Sequence, residues 1–173
     1  FDLATEEMEK ALAKNPAAHF GAGWLHLMMV AWQDGEGRAK LPSVSFVGGN
    51  YSDRWASSVR TAARKRAKAL GVEVDEDFDG VQLLRTLLRA NPEFADGYFV
   101  LGATLEDKFD LNMALWAYMK ALELGHPARA AIYKRIDGIF GHWKEALEHG
   151  SGGRRLEPKA DALRRIRSEL KLA

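Results

Sequence analysis

Five histidines, His19, His26, His126, His142 and His149, are the first residues to test for chemistry. An HExxH or HxxxH pair would set two imidazoles on one helix face at metal-binding distance, and neither occurs. His19 and His26 are seven residues apart, as are His142 and His149. Two helical turns, about 10 Å, is too far for either pair to share one metal ion. The histidines therefore read as hydrogen-bonded or surface side chains. His26 lies inside an apolar segment, and burial there demands a partner for its ring nitrogens. The absence of cysteine excludes thiolate metal sites, iron–sulfur clusters, disulfides and a cysteine nucleophile. No GxSxG elbow occurs. Gly21-Ala22-Gly23 lacks the preceding strand that a dinucleotide loop needs, and no GxxxxGK[ST] phosphate loop is found. Carboxylates are plentiful, but no spacing pairs them. The expectation is a protein without enzymatic activity, cofactor or metal.

The chain that must position any site has 173 residues, one domain by the usual length and enough to bury a core. With 47% apolar and 28% charged residues it is not a disordered chain. Lys and Arg number 25 against 24 Asp and Glu, a balance that argues against a dedicated nucleic-acid or membrane-surface protein. The most apolar stretch is 17–33. At about 1.5 Å per residue it falls short of a hydrocarbon core of about 30 Å, so it reads as a buried helix and no membrane span is expected. No secretory pattern is visible, yet a chain beginning at Phe1 is compatible with a removed leader; cytoplasmic and periplasmic settings both stand.

Periodicity is helical nearly throughout. Helices are predicted over 2–14, 17–33, 52–70, 80–90, 93–107, 111–124, 127–138, 142–149 and 158–172. Asn15-Pro16 and Asn91-Pro92 end two of them. Residues 43–47 alternate as a short strand would, but no second strand is available, so 41–51 reads as an ordered loop closing at Gly48-Gly49-Asn50. The fold class is all-α, with eight or nine helices and 158–172 as a capping helix.

Pro92 and Pro127 lie 35 residues apart, and between them fall Tyr98, Leu101-Gly102, Leu105, Ala114, Tyr118 and Ala121. This stretch resembles a tetratricopeptide repeat (TPR), with an aromatic and Leu-Gly on helix A and Ala, Tyr, Ala on helix B. Gly102, Ala114 and Ala121 would let the two helices approach, with Tyr98 and Tyr118 filling the space beside them. Tyr133, Ile136 and Phe140 continue the register into a third, irregular repeat. Leu25 and Met29 fit a first one. Two parses cover the interval between Pro16 and Pro92. In one, 34–79 is an insertion carrying a basic helix; in the other, degenerate repeats alternate through it. The first is preferred, because "ALAKNP", "LLRANP" and "ALELGHP" then all end B helices. A further likeness is to the TPR proteins associated with TRAP transporters.

The resemblance implies a single TPR-like domain over 1–173 that binds a peptide or partner protein in a concave groove lined by A helices. Its groove positions map to Asp96, Phe99, Ala103 and Glu106, to Phe20, Gly23, Leu27 and Val30 in the first repeat, and to Ala131 and Lys134 in the third. Such a groove is apolar at one end and acidic in the middle, and suits a ligand with apolar side chains and a basic residue. Two alternatives stand beside it. One is a small apolar-ligand-binding protein of the TRAP-associated type, which a deep pocket beside Trp24 and Leu27 would favour. The other is nucleic-acid or acidic-partner binding through Arg54, Arg60, Arg64, Lys65, Arg66 and Lys68. That run is more simply a solvated face balanced by the acids at 73–79, and the C-terminal basic residues read as the outer face of a cap. The five Trp residues read chiefly as helix-packing aromatics.

Overall fold

The structure, a computed structural model, describes residues 2–15, 22–33, 44–51, 64–65, 68 and 79–148. Six helices are complete among them: α1 (Asp2–Lys14), α2 (Gly23–Gln33), α3 (Gly80–Ala90), α4 (Ala95–Asp107), α5 (Leu111–Glu123) and α6 (Arg129–Glu148). No strand is present among the described residues; Val44 and Asn50 form an isolated antiparallel bridge. The described chain is all-α. Of the helix expected over 52–70 only 64–65 and 68 are described, all three helical; the helix expected over 158–172 and the candidate groove residue Phe20 lie outside the described residues, as do His19, His149, Trp55, Arg54, Arg60 and Arg66.

Aspartates start two of the helices as sequence rules require. Asp79 caps α3, its carboxylate accepting from the Val81 N–H at 3.1 Å, and Lys108 Nζ also reaches it at 2.8 Å. Asp110 caps α5 by accepting from the Met113 N–H at 3.4 Å. In α3 the residues Val81, Leu84, Leu87 and Leu88 are buried, the stripe that a period of 3.6 dictates. In α2 burial runs through Gly23–Met29 and includes Trp32, so this helix is packed on more than one side. Its His26 Nδ1 lies 3.1 Å from the Ala22 carbonyl, to which it donates, and the apolar helix thereby accommodates the imidazole.

Among the described helices α1 packs on α2, α2 on α3, α3 on α4 and, most extensively, α4 on α5. Gly102 sets the last contact. A Cβ at Gly102 would lie 2.6 Å from Cε1 and 2.7 Å from Cδ1 of Tyr118, so the ring of α5 occupies the space a side chain would need. Where two helices are expected over 127–138 and 142–149, α6 continues through Gly138 and Gly141. A Cβ at either would meet nothing within 4 Å, so no crowding forces a break there. Each costs only about 1 kcal/mol of helix propensity, which a helix of this length absorbs.

The two ends of the α4–α5 hairpin turn in the same way. After α4, the Phe109 N–H bonds the Glu106 carbonyl and the Asp110 N–H bonds the Leu105 carbonyl, both at 3.0 Å. After α5, the Gly125 N–H bonds the Leu122 carbonyl and the His126 N–H bonds the Ala121 carbonyl, again at 3.0 Å. Both are Schellman turns, whose pivot residue is left-handed. Gly125 takes that conformation at φ 76°; Phe109 takes it at φ 57° although it has a Cβ, and its ring is 83% exposed. The chain divides into two compact units, Phe1–Ile136 and Asp137–Ala173. In the second, Phe140 and Trp143 meet edge to face at 5.7 Å.

Two substitutions test this hairpin in opposite directions. Gly102→Leu should destabilise the fold by about 1–3 kcal/mol through overpacking against Tyr118, read as a lower thermal midpoint. Phe109→Gly should stabilise it. It removes a left-handed strain of roughly 1–2 kcal/mol at a chain-entropy cost of roughly 0.5–1 kcal/mol, so the urea midpoint should rise at unchanged m-value.

Candidate functional site

Asp96 falls in the first turn of α4 and is 6% exposed. Three donors from outside the helix converge on its carboxylate. The Phe46 N–H donates to Oδ2 at 2.5 Å, the Tyr51 hydroxyl to Oδ1 at 2.6 Å, and the His126 Nε2–H to Oδ1 at 2.9 Å. Phe46 and Tyr51 belong to the tight turn 44–51. Within it the Ser45 N–H bonds the Gly49 carbonyl at 2.7 Å, and Gly48 is left-handed at φ 86°. This is the ordered loop expected from Gly48-Gly49-Asn50. His126 follows the Gly125 pivot and is completely buried.

The second nitrogen of His126 fixes its protonation. Nδ1 accepts from the Ala128 N–H at 3.1 Å at the entry to α6, so it must keep its lone pair. The proton then sits on Nε2, facing Asp96. In this tautomer both ring nitrogens are occupied by partners within the fold. Asp96 accepts three hydrogen bonds from neutral groups, and no Lys or Arg pairs with it among the described residues.

Asp96, Phe99, Ala103 and Glu106 share one face of α4, as the repeat register implies, but the face is not an open channel. Phe99 and Ala103 are fully buried. The Phe99 ring stacks on His126 at 5.2 Å and 21°, meets Tyr51 edge to face at 4.9 Å, and lies 5.9 Å from Tyr118. The Arg135 guanidinium sits 5.8 Å from its centroid. At the far end of the face Glu106 Oε2 accepts from Tyr118 Oη at 2.6 Å and pairs with Arg135 Nη1 at 2.9 Å. Phe99, which the repeat register places in the groove, is covered by its own chain: by Tyr118 of the neighbouring helix, and by Tyr51, His126 and Arg135 from segments whose contacts no local pattern announces. Of the other groove positions, Leu27 is fully buried, Val30 and Ala131 are half-buried, and Lys134 is exposed. None of these joins the α4 cluster through a hydrogen bond or ring contact.

Next to Asp96 lies a cavity of about 210 Å³. Trp32, Tyr51 and Phe94 contribute aromatic walls; Asp96, Glu93 and His126 contribute polar ones. The end of α5 at Leu124 and the Gly125 pivot complete the boundary. The volume is below the roughly 300–1,000 Å³ of drug-sized ligand pockets. It suits one side chain or a fragment of that size. Trp24 and Leu27 are not among its lining residues. Among the described residues, no group of three or more His, Asp or Glu side chains could hold a metal ion. No helix of the described residues is long and apolar enough to cross a membrane. The exposed apolar side chains include Phe109, Met113 and Trp116, spaced by four and three along the start of α5, with Trp116 resting edge-on against Tyr98 at 5.8 Å.

Comparison with protein-family models, with curated proteins and with solved structures finds no match for this chain.

Burial pushes the Tyr118 phenol well above its ordinary value of 10.0; the Arg135 charge works against that shift and the Glu106 charge adds to it. The folded chain then keeps a proton that the unfolded chain loses near pH 10. Stability contributed by this group is therefore present below pH 10 and declines as pH rises beyond it. Ultraviolet titration of the native protein should show one tyrosine absent from the ordinary phenolate step, and Tyr118→Phe should remove the corresponding fall in thermal midpoint at alkaline pH.

Proposed function

We propose that the chain is a degenerate TPR-like helical-hairpin domain and a non-enzymatic interaction module that receives a partner protein at the Asp96 end of the α4 face. The position of the cavity carries this reading. It lies on the helix face that the repeat register assigns to ligand contact, at the end of that face where the chain's own side chains leave space. The TPR-like assignment is supported by Gly102 beneath Tyr118 and by the packing of α3 on α4 and, most extensively, of α4 on α5. The non-enzymatic reading is supported by the saturation of His126 and the threefold hydrogen bonding of Asp96. With Phe99 and Ala103 covered, the site accepts one projecting side chain rather than an extended peptide lying along a groove. A small apolar ligand is a poorer match for a cavity with a carboxylate in its wall.

Ala95 tests the proposal, because it lines the cavity without belonging to the hydrogen-bond network. Ala95→Leu should fill the space, preserve the helical circular dichroism and weaken a cellular partner at least about tenfold. Hydrogen exchange with that partner should show protection at residues 93–97 and 124–127. A partner that binds Ala95→Leu normally and is lost from a Phe109→Ser, Trp116→Ser double variant would move the interface to the exposed start of α5.

A further inference from the structure

We infer that the cavity beside Asp96 selects an alkylammonium group, and, resting on the interaction reading above, that the group is a lysine side chain of the partner. The first ground is charge. Asp96 is buried, it receives hydrogen bonds only from an amide, a phenol and a neutral imidazole, and no cation pairs with it among the described residues. Buried carboxylates are ordinarily matched by a cation, because hydrogen bonds from neutral dipoles leave the net charge in place. Glu106, on the same helix face, shows the ordinary arrangement, with Arg135 at 2.9 Å. Asp96 lacks such a cation and has a cavity in its place.

The walls supply the second ground. Trp32, Tyr51 and Phe94 line the cavity, and aromatic faces attract a desolvated cation. Glu93, exposed in the turn two residues before α4, adds a second carboxylate. The described lining residues include no Lys or Arg, and His126 is held neutral by Ala128. The C-terminal end of α5 also faces the space through Leu124 and Gly125, and that end of a helix favours positive charge. The N-terminus of α4 opposes it, but Asp96 and Glu93 stand at that terminus and offset its partial charge.

Size and donor geometry select ammonium over guanidinium. Asp96 Oδ1 already takes two donors and Oδ2 takes one, so the carboxylate has little room left for the paired approach of an arginine fork. An ammonium can use the remaining lone pair of Oδ2 and direct its other protons to Glu93 or water, while its methylene stem lies against the aromatic walls.

The test uses the full chain, labelled with nitrogen-15, and follows the Trp32 indole N–H and the Ala95 and Gly125 amides by NMR. The probes are n-butylammonium chloride, n-butanol, sodium butyrate and the capped peptide acetyl-Gly-Lys-Gly-amide. Saturable shifts at these three reporters are expected with butylammonium and with the lysine peptide, at least about tenfold tighter than with butanol, and none with butyrate. Glu93→Gln should weaken butylammonium and leave butanol unchanged, and Ala95→Leu should abolish both. Asp96→Asn would place an NH2 against one of the three donors and risks unfolding, so the decision rests on the first two variants. Equal binding of butanol and butylammonium would overturn the charge selection and leave the interaction site standing. Binding of butylammonium without the peptide would overturn the lysine assignment in favour of a free amine. No shift at the three reporters with any probe would overturn the inference, whereas the interaction reading fails separately, by its own partner test with Ala95→Leu.

Discussion

One carboxylate holds three parts of the described chain in register. Asp96 gathers the 44–51 turn through Phe46 and Tyr51, the turn after α5 through His126, and α4 itself. Among the described residues the 44–51 segment belongs to no sheet or helix, and its internal bonds close a tight turn without saying where that turn must sit. Two hydrogen bonds to one buried acid say so. A donor or acceptor left unsatisfied in such a place costs about 1–3 kcal/mol, more when a charge is involved. Displacing the turn would break both bonds together and also separate Phe46 from Phe94 and Tyr51 from Phe99, rings now 5.0 and 4.9 Å apart. Polar convergence and aromatic packing therefore act on the same few residues, so the turn moves as a unit or not at all.

The face of α4 carries an acid in a different setting at each end. At Glu106 the acid is half-buried and meets a cation and a phenol, and Arg135 extends that contact over the Phe99 ring. At Asp96 the acid is buried and meets only neutral donors. Phe99 lies between the two and touches members of both groups, so its ring is the packing surface through which the Arg135 side and the His126 side are fitted together. The fit is demanding because aromatic contacts of this kind depend on ring angle as well as area. It explains why α4 is buried nearly all round although its sequence carries two acids on one stripe.

The helical elements were legible because their signals are local. α3, α4 and α5 begin within two residues of the predicted starts and end within one of the predicted ends, since Asp79 and Asp110 cap two of them and the apolar spacing is regular. The close approach at Gly102 was legible for the same reason: a glycine among large residues on a helix face marks a neighbour, and Tyr118 is that neighbour. The site was only half legible. Asp96, Phe99, Ala103 and Glu106 do share a face, but what covers it comes from far along the chain. Tyr51 and Phe46 stand 45 and 50 residues before Asp96, and His126 stands 30 after it. Hydrophobic periodicity has no term for such contacts; it records that a residue is apolar, not which segment arrives to bury it. His126 carried one local signal, its place directly after a glycine that ends a helix, but that pattern predicts a turn and not the direction of the ring.

The twin turns show where the fold tolerates strain and where accuracy is required. Both reverse the chain with the same pair of hydrogen bonds, and both need a left-handed pivot. At Gly125 the next residue is His126, whose ring must meet Asp96 at 2.9 Å and Ala128 at 3.1 Å. A side chain at the pivot would add left-handed strain of roughly 1–2 kcal/mol, and any relaxation of that strain would swing the imidazole away from both partners. At Phe109 the next residue is Asp110, an exposed cap whose carboxylate meets one amide at the longer distance of 3.4 Å. A small rotation there changes little, so the turn can carry an aromatic at a position that favours glycine. The difference between the two pivots follows from what stands one residue further on. The second turn is tied through His126 to the buried carboxylate that positions the rest of this face, and the first is tied only to a helix cap in solvent.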